Sequence, residues 1–264
     1  MVSLREGPAV PVRAVLPLPG TGRGYWAGTD GDGLWQYALH RPPRRVPALP
    51  ATLEVTTLAY AAGSGLWMGT AADGLYLLPD DTTLPVRHLT TAEGLLHNII
   101  SALLADHSGR RWVGTHGTGL AVYPPATQHF AYFRLNSGGV TISSFAEDAT
   151  GRIWVGTEGQ GIYCFTGNSW RHYDANYSLS TNFGYGLLPL PAFVTSQDAG
   201  SWLLLSHLQE LTLFSPHGQL HSPGCRQRHP GARLPGAVGS GQRPPANNMG
   251  GHPGRPGADG SRSR

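Results

Sequence analysis

The chain has 264 residues, rich in glycine (37) and proline (22), and poor in charge; this suits many short strands joined by tight turns and argues against a long-helix protein. All 19 basic residues are arginine, and the formal charge of +3 is unevenly placed: residues 1–220 hold 12 arginines against 15 acids, and the remainder holds 7 arginines against one acid, Asp259. A nucleic-acid binder carries its basic stripe on the folded part, so nucleic acid is not an expected partner.

From the N-terminus, Met1 to Pro8 lacks the apolar core of a signal peptide. No later stretch reaches the ~18 apolar residues of a membrane span. Trp26-Ala27-Gly28-Thr29 then opens a repeat. It recurs as Trp67-Met68-Gly69-Thr70, as Trp112-Val113-Gly114-Thr115 and as Trp154-Val155-Gly156-Thr157, with Trp spacings of 41, 45 and 42 residues. Seven residues after each Trp stands Gly33, Gly74, Gly119 or Gly161, followed by Leu34, Leu75, Leu120 or Ile162. Eleven residues after each Trp stands Tyr37, Leu78, Tyr123 or Phe165. A fifth, eroded copy fits if Leu203 takes the Trp position; Leu205-Ser206 then replaces Gly-Thr, and Leu211 and Phe214 take the aliphatic and aromatic positions.

The fourth copy is the most readable. Val140–Glu147 is rich in β-branched and apolar residues and predicts a strand. Asp148 to Gly151 is a turn, because Asp bonds its own backbone and Gly accepts positive φ. Arg152–Thr157, Ile162–Phe165 and Trp170–Tyr173 follow as strands, separated by turns at 158–161 and 167–168. The third strand is apolar on both faces, so both faces must be covered, and no single copy can do that alone. Four antiparallel strands in about 42 residues is the size of one β-propeller blade. The expected fold is therefore all-β: a β-propeller of four-stranded antiparallel blades, about five of them, over residues 1–221. The repeated Trp residues, and Trp35 beside the first, are expected in the core.

After about Ser222 aromatic residues vanish and aliphatic ones nearly do. Ordering such a chain costs about 1.5 kcal/mol per residue, so 222–264 is expected to be a disordered Arg/Pro/Gly-rich tail. Its composition is what a GC-rich gene read in a shifted frame would encode. Cys164 and Cys225 lie in different contexts and do not predict a disulfide. The twelve histidines follow no metal-ligand spacing, so neither metal nor cofactor is expected.

Asp106-His-Ser-Gly109-Arg-Arg-Trp112-Val-Gly114-Thr115 and Asp148-Ala-Thr-Gly151-Arg-Ile-Trp154-Val-Gly156-Thr157 resemble the two-component regulator propeller repeats. Glu93-Gly94-Leu95-Leu96-His97-Asn98 resembles that family's loop between blades. Repeats one and two lack the Asp/Gly turn in register. The resemblance covers about residues 10–220. It implies the extracytoplasmic, periplasmic sensing half of a hybrid histidine kinase whose kinase lies outside this chain. It also implies rings of around seven blades, so that five would make a partial or small ring. Open faces on such a ring predict self-association. Carbohydrate or another small ligand is what the family suggests.

In a four-stranded blade, the loops between strands two and three and the loops between blades open on one face, the usual ligand face of a propeller. That face should carry Asp30, Asp32, Glu93, His97, Asn98, His116, Thr118, Glu158 and Gln160 as candidate ligand-binding residues. No catalytic set is visible: Glu147 and Glu158 are carboxylates of the type glycosidases use, but nothing in the sequence pairs them. The leading expectation is a ligand-sensing module of a two-component sensor. The alternatives are a protein-docking scaffold and a propeller lyase or glycosidase.

Overall fold

β-Branched and aromatic residues between glycine turns build five sheets of four short strands each. The computed structural model describes residues 7–20, 24–135, 139–175, 179, 182–190, 202–206, 211–214 and 220–221. Blade one is β1 (Val12–Pro17), β2 (Gly24–Thr29), β3 (Leu34–Ala38) and β4 (Arg41–Arg45). Blade two is β5 (Val55–Ala61), β6 (Gly65–Thr70), β7 (Leu75–Leu78) and β8 (Arg87–Leu89). Blade three is β9 (Ile100–Ala105), β10 (Arg111–Thr115), β11 (Gly119–Tyr123) and β12 (Ala131–Phe133). Blade four is β13 (Ile142–Glu147), β14 (Ile153–Thr157), β15 (Ile162–Phe165) and β16 (Trp170–Tyr173). Blade five is β17 (Gly186–Leu190), β18 (Trp202–Ser206), β19 (Leu211–Phe214) and β20 (Leu220–His221). Each sheet is an antiparallel meander in chain order. One 3₁₀ turn, Thr91–Glu93, lies between blades two and three. The chain divides into two units, Met1–Arg226 and Gln227–Arg264. All described residues belong to the first, so the expected tail lies outside them.

The motif residues have separate tasks. The Trp faces the following blade. Trp112 packs with Leu120 and Val122 of its own sheet against Ile153, Val155, Tyr163 and Phe165 of blade four, its ring 5.5 Å from that of Phe165. Burying such a ring contributes roughly 2–3 kcal/mol. The Gly lets the next blade approach: a Cβ on Gly69 would sit 2.5 Å from Ile100, and one on Gly114 would sit 2.7 Å from Ile142. The Thr closes the turn after strand two. Its hydroxyl donates to the carbonyl of Gly33, Gly74, Gly119 or Gly161 at 2.6–2.8 Å.

The first strands of successive blades lie against one another in the order β1, β5, β9, β13, β17. In blades one to four that strand carries a bulge of one extra residue, at Arg13, Thr56, Ser101 and Ser143. The Thr56 hydroxyl donates to the Ile100 carbonyl at 2.6 Å and the Ser101 hydroxyl to Ile142 at 2.5 Å; Ser143 donates to Gly184 in the same way. These bonds pin each blade to the next. Arg13 breaks the series, its guanidinium pairing with Asp30 at 2.7 Å.

Three expectations are corrected. Leu203 does not hold the Trp position. Ser206 pairs with Gly186 and Leu211, so Leu204 takes the Trp place. Leu203 and Leu205 instead face blade four, in one cluster with Trp154. The turn before β19 is one residue shorter than in the other blades, and that deletion misled the spacing. Trp67, Trp112 and Trp154 are buried as expected, but Trp26 is only half-buried. Trp35 is also half-buried, its indole N–H held by Asp32 at 3.1 Å, because no described blade covers that side of blade one.

Candidate functional site

The turns between strands two and three do share a face with the loops between blades. The backbone N–H of Gly33, Gly74, Gly119 and Gly161 donates to Leu53, Asn98, Val140 and Asn182, each in the segment leading to the next blade. Of the nine candidate residues, most are occupied by shaping these loops. Asp30 accepts from Arg13, and Asp32 from the Trp35 indole. Glu93 and Thr90 form a capping box around the 3₁₀ turn, which holds the Glu93 carboxyl below the ordinary carboxylate range. His97 Nδ1 accepts from the N–H of Ile99 at 3.0 Å. Asn98 Oδ1 accepts from the N–H of Thr91 at 3.0 Å. Thr118 shares a hydroxyl bond with Thr115, and Gln160 donates to Gly139 at 3.4 Å. His116 and Glu158, on neighbouring blades, are exposed and make backbone bonds.

Glu147, one of the two carboxylates of the glycosidase type, is engaged with His107. It bonds both the backbone N–H and the Nδ1 of His107, tying blade four to blade three. The Glu147 bond raises the affinity of His107 for its proton. Cys164 is buried, which pushes its thiol up to about 11; a neutral thiol is a poor nucleophile. Cys225 lies outside the described residues.

Among the described residues, a feature shaped for a ligand lies elsewhere, between blades one and two. A groove of about 720 Å³ runs past Trp26, Tyr60, Leu66 and Leu78, edged by Pro19, Pro47, Pro79 and Pro85. That is the volume of an ordinary small-molecule site. Arg44 donates twice to Gln36 Oε1, at 2.7 and 2.9 Å, and both residues line the groove. On the other wall, Asp80 Oδ2 accepts from the Tyr60 hydroxyl at 3.0 Å and from the N–H of Gly63 at 3.2 Å. The groove thus offers an aromatic face, an apolar floor and polar groups on both walls.

Two repeat positions beside it are weakly filled. Trp67 and Trp112 are capped by Tyr123 and Phe165 of the following blade, whereas the equivalent residue over Trp26 is the smaller Leu78. Trp112 and Trp154 donate their indole N–H to Asp106 and Asp148 at 2.8 and 2.9 Å; repeat one has Gly20 at that spacing. Both signals stand in the sequence, as departures from the repeat.

Residues 135–159 match the model of the two component regulator propeller. No curated protein matches the chain. Among solved structures, the chain is similar to the extracellular domain of BT3049 from B. thetaiotaomicron, assigned to a hybrid two component system. The identity is 21% and the TM-score 0.65, over 79% of this chain and 28% of that one. It is also similar to YCF48 bound to a D1 peptide, at 14% identity and TM-score 0.54, over 81% of this chain and 66% of that one. An auxiliary nutrient binding protein from Bacteroides thetaiotaomicron matches at 10% identity and TM-score 0.52, over 80% and 56%. At these identities the likeness is one of fold. The chain spans less than a third of the length of the BT3049 domain. Among the described residues, no helix is long and apolar enough to cross a membrane.

Proposed function

From a chain whose fourth blade carries a two component regulator propeller repeat, we infer a non-catalytic, ligand-sensing module of an extracytoplasmic two-component sensor. The observation that carries this reading is Trp26. It holds the repeat position that is buried in blades two, three and four, yet it lines an open groove of about 720 Å³. A propeller that served only as a scaffold would gain stability by filling that groove, as the other blades do with Tyr123 and Phe165. The flat indole with polar groups on both walls suits the apolar face and hydroxyl rim of a sugar ring, so the ligand class is a soluble oligosaccharide. The nutrient-binding relative of the same fold supports the reading.

The test is a titration of the purified chain with soluble xylo-, manno- and galacturono-oligosaccharides, followed by tryptophan fluorescence and by thermal melting. At least one series should shift both signals in the parent and neither in Trp26→Ala. If none does, or if Trp26→Ala responds like the parent, the reading fails.

A second reading, protein docking, is favoured by one comparison: the YCF48 structure of this fold holds a peptide. The four prolines and Tyr60 at the groove would then hold an extended peptide segment. Binding of proline-rich peptides without any response to oligosaccharides would replace the first reading with the second.

A further inference from the structure

Three of the repeat tryptophans carry a guanidinium over the ring, its carbon 5.3–5.5 Å from the ring centre. At Trp112 and Trp154 that guanidinium belongs to the same repeat, and a carboxylate joins it to the indole. Asp106 accepts from Arg110 Nε at 2.6 Å and from Trp112 Nε1 at 2.8 Å. Asp148 accepts from Arg152 Nε at 2.6 Å and from Trp154 Nε1 at 2.9 Å. At Trp67 the guanidinium comes from the next blade. It is that of Arg111, which stands directly before Trp112 as Ile153 stands before Trp154.

Two buried nitrogens at this place, Trp67 Nε1 and Arg111 Nε, have no hydrogen-bond partner among the described residues. They are the same two kinds of donor that Asp106 and Asp148 serve in blades three and four. Trp67 and Arg111 are 1% and 5% exposed, and burying such donors without an acceptor is costly. Burial lowers the proton affinity of Arg111, and Tyr123 and Asp106 oppose this only in part. The turn that carries the carboxylate is present in blade two. The N–H of Ser64 donates to the Ala61 carbonyl at 2.9 Å, as Gly109 does to Asp106 and Gly151 to Asp148. Ala61 therefore stands at the carboxylate's place in the turn, with a side chain too short to reach the indole.

A pocket of about 210 Å³ opens at this turn, and Ser64, Trp67, Leu77, Arg87, Arg111 and Tyr123 are among its walls. All of its lining residues belong to blades two and three, two of them are arginines, and none is acidic. Arg87 donates to the Tyr123 hydroxyl at 3.2 Å. Among the described residues, neither Arg87 nor Arg111 is in an ion pair.

We propose that this pocket binds the carboxylate of a small organic acid, at the place where Asp106 and Asp148 supply their own in blades three and four. The carboxylate accepts from the Trp67 indole and from Arg111, and Arg87 adds a second positive charge. The pocket is smaller than an ordinary small-molecule site, which fits an acid of a few carbons. A planar carboxylate suits these donors better than a tetrahedral oxyanion, because two blades already join the same donor pair with one. The site is separate from the groove between blades one and two and does not depend on what binds there.

The experiment melts the full chain in lactate and in sulfate, each titrated against chloride at constant ionic strength near neutral pH. A ligand of the folded chain raises the melting temperature as its concentration rises. Lactate should do so with an apparent affinity at least about tenfold above that of sulfate. Ala61→Asp places an internal carboxylate on the same donors, and Arg111→Ile gives blade three the residue that blade four has there. Circular dichroism checks that both variants fold, and if one does not, the other carries the test. Each should weaken the response to lactate by at least about tenfold, and Ala61→Asp should do so while melting above the parent. No rise beyond that in chloride, a sulfate response as strong as that to lactate, or a folded variant that answers lactate like the parent would each overturn the proposal.

Discussion

Trp112 and Trp26 occupy the same place in the same motif, in blade three and blade one, and their surroundings differ in three respects. Trp112 has an Asp six residues before it to take its indole N–H, an aromatic residue of the next blade over its ring, and a hydroxyl bond from its first strand to the next. Trp26 has Gly20, Leu78 and Arg13 at those places. Trp67 is intermediate: Tyr123 covers its ring, but its buried indole nitrogen has no hydrogen-bond partner among the described residues. The motif alone therefore makes a blade, whereas its neighbours decide whether the Trp is core. Blades three and four spend their aromatic surface on each other; blade one keeps some of it open.

The sharpest way to break this contrast is to remove the ring in both places. Trp112→Ala should lower the unfolding free energy by about 3–5 kcal/mol, as large-to-small core changes do. Trp26→Ala should lower it by less, about 1–2 kcal/mol, because that ring is only half-buried. Urea melts of the two variants measure the difference, and equal losses would erase the distinction between the blades.

The Asp turn comes next. Burial of Asp148 opposes its ionisation, but bonds from the Trp154 indole, the Thr150 hydroxyl and Arg152 outweigh it and hold the carboxyl below its ordinary range. A depressed carboxyl stabilises the fold above its unfolded value, and the contribution disappears as pH falls through the folded value. Asp148→Asn should therefore lose about 2–3 kcal/mol near neutral pH. It should also show a shallower fall in melting temperature on acidification than the parent. The same logic runs in reverse in blade two, where Ala61 stands six residues before Trp67. Ala61→Asp should supply the missing acceptor and stabilise by about 1 kcal/mol; an unchanged or lower melting temperature would mean that blade two is built differently.

The smallest effect belongs to His107. Its bond to Glu147 raises its proton affinity, so its contribution is present below the ordinary imidazole range and is lost as pH rises through the raised value. The side chain is exposed, and the contribution is correspondingly small. Melting temperature of the parent should decline slightly across about pH 6 to 8, and His107→Ala should flatten that slope.

Much of the fold could be read before the structure. The strands Ile162–Phe165 and Trp170–Tyr173 have the expected bounds, and the two before them begin within two residues of expectation. They were legible because Trp-x-Gly-Thr and the glycines after it are local: each residue's role is set by its own turn or by the strand beside it. Three things were hidden. The one-residue deletion before β19 keeps the hydrophobic pattern, so only strand pairing reveals that Leu204, not Leu203, is the Trp equivalent. The bulge hydroxyls of Thr56, Ser101 and Ser143 bond to residues about 40 positions away, and a lone Ser or Thr in a strand carries no sign of that. The site was least legible. Polar loop residues such as Glu93 and Asn98 looked available to a ligand, and they turn out to cap the backbone. The groove lies beside two departures from the repeat, a Gly for an Asp and a Leu for a Tyr, which stand out only when the repeat is known to be structural.

The second-turn glycines have a consequence for how the chain assembles. Gly33, Gly74, Gly119 and Gly161 each send their N–H to a carbonyl 20 to 24 residues further on. On a ribosome, that carbonyl leaves the exit tunnel after the glycine. Each blade is then left with an unmet donor until the leading segment of its successor has been synthesised and laid in place. The order of synthesis becomes an order of completion, with every blade serving as the template on which its predecessor is finished.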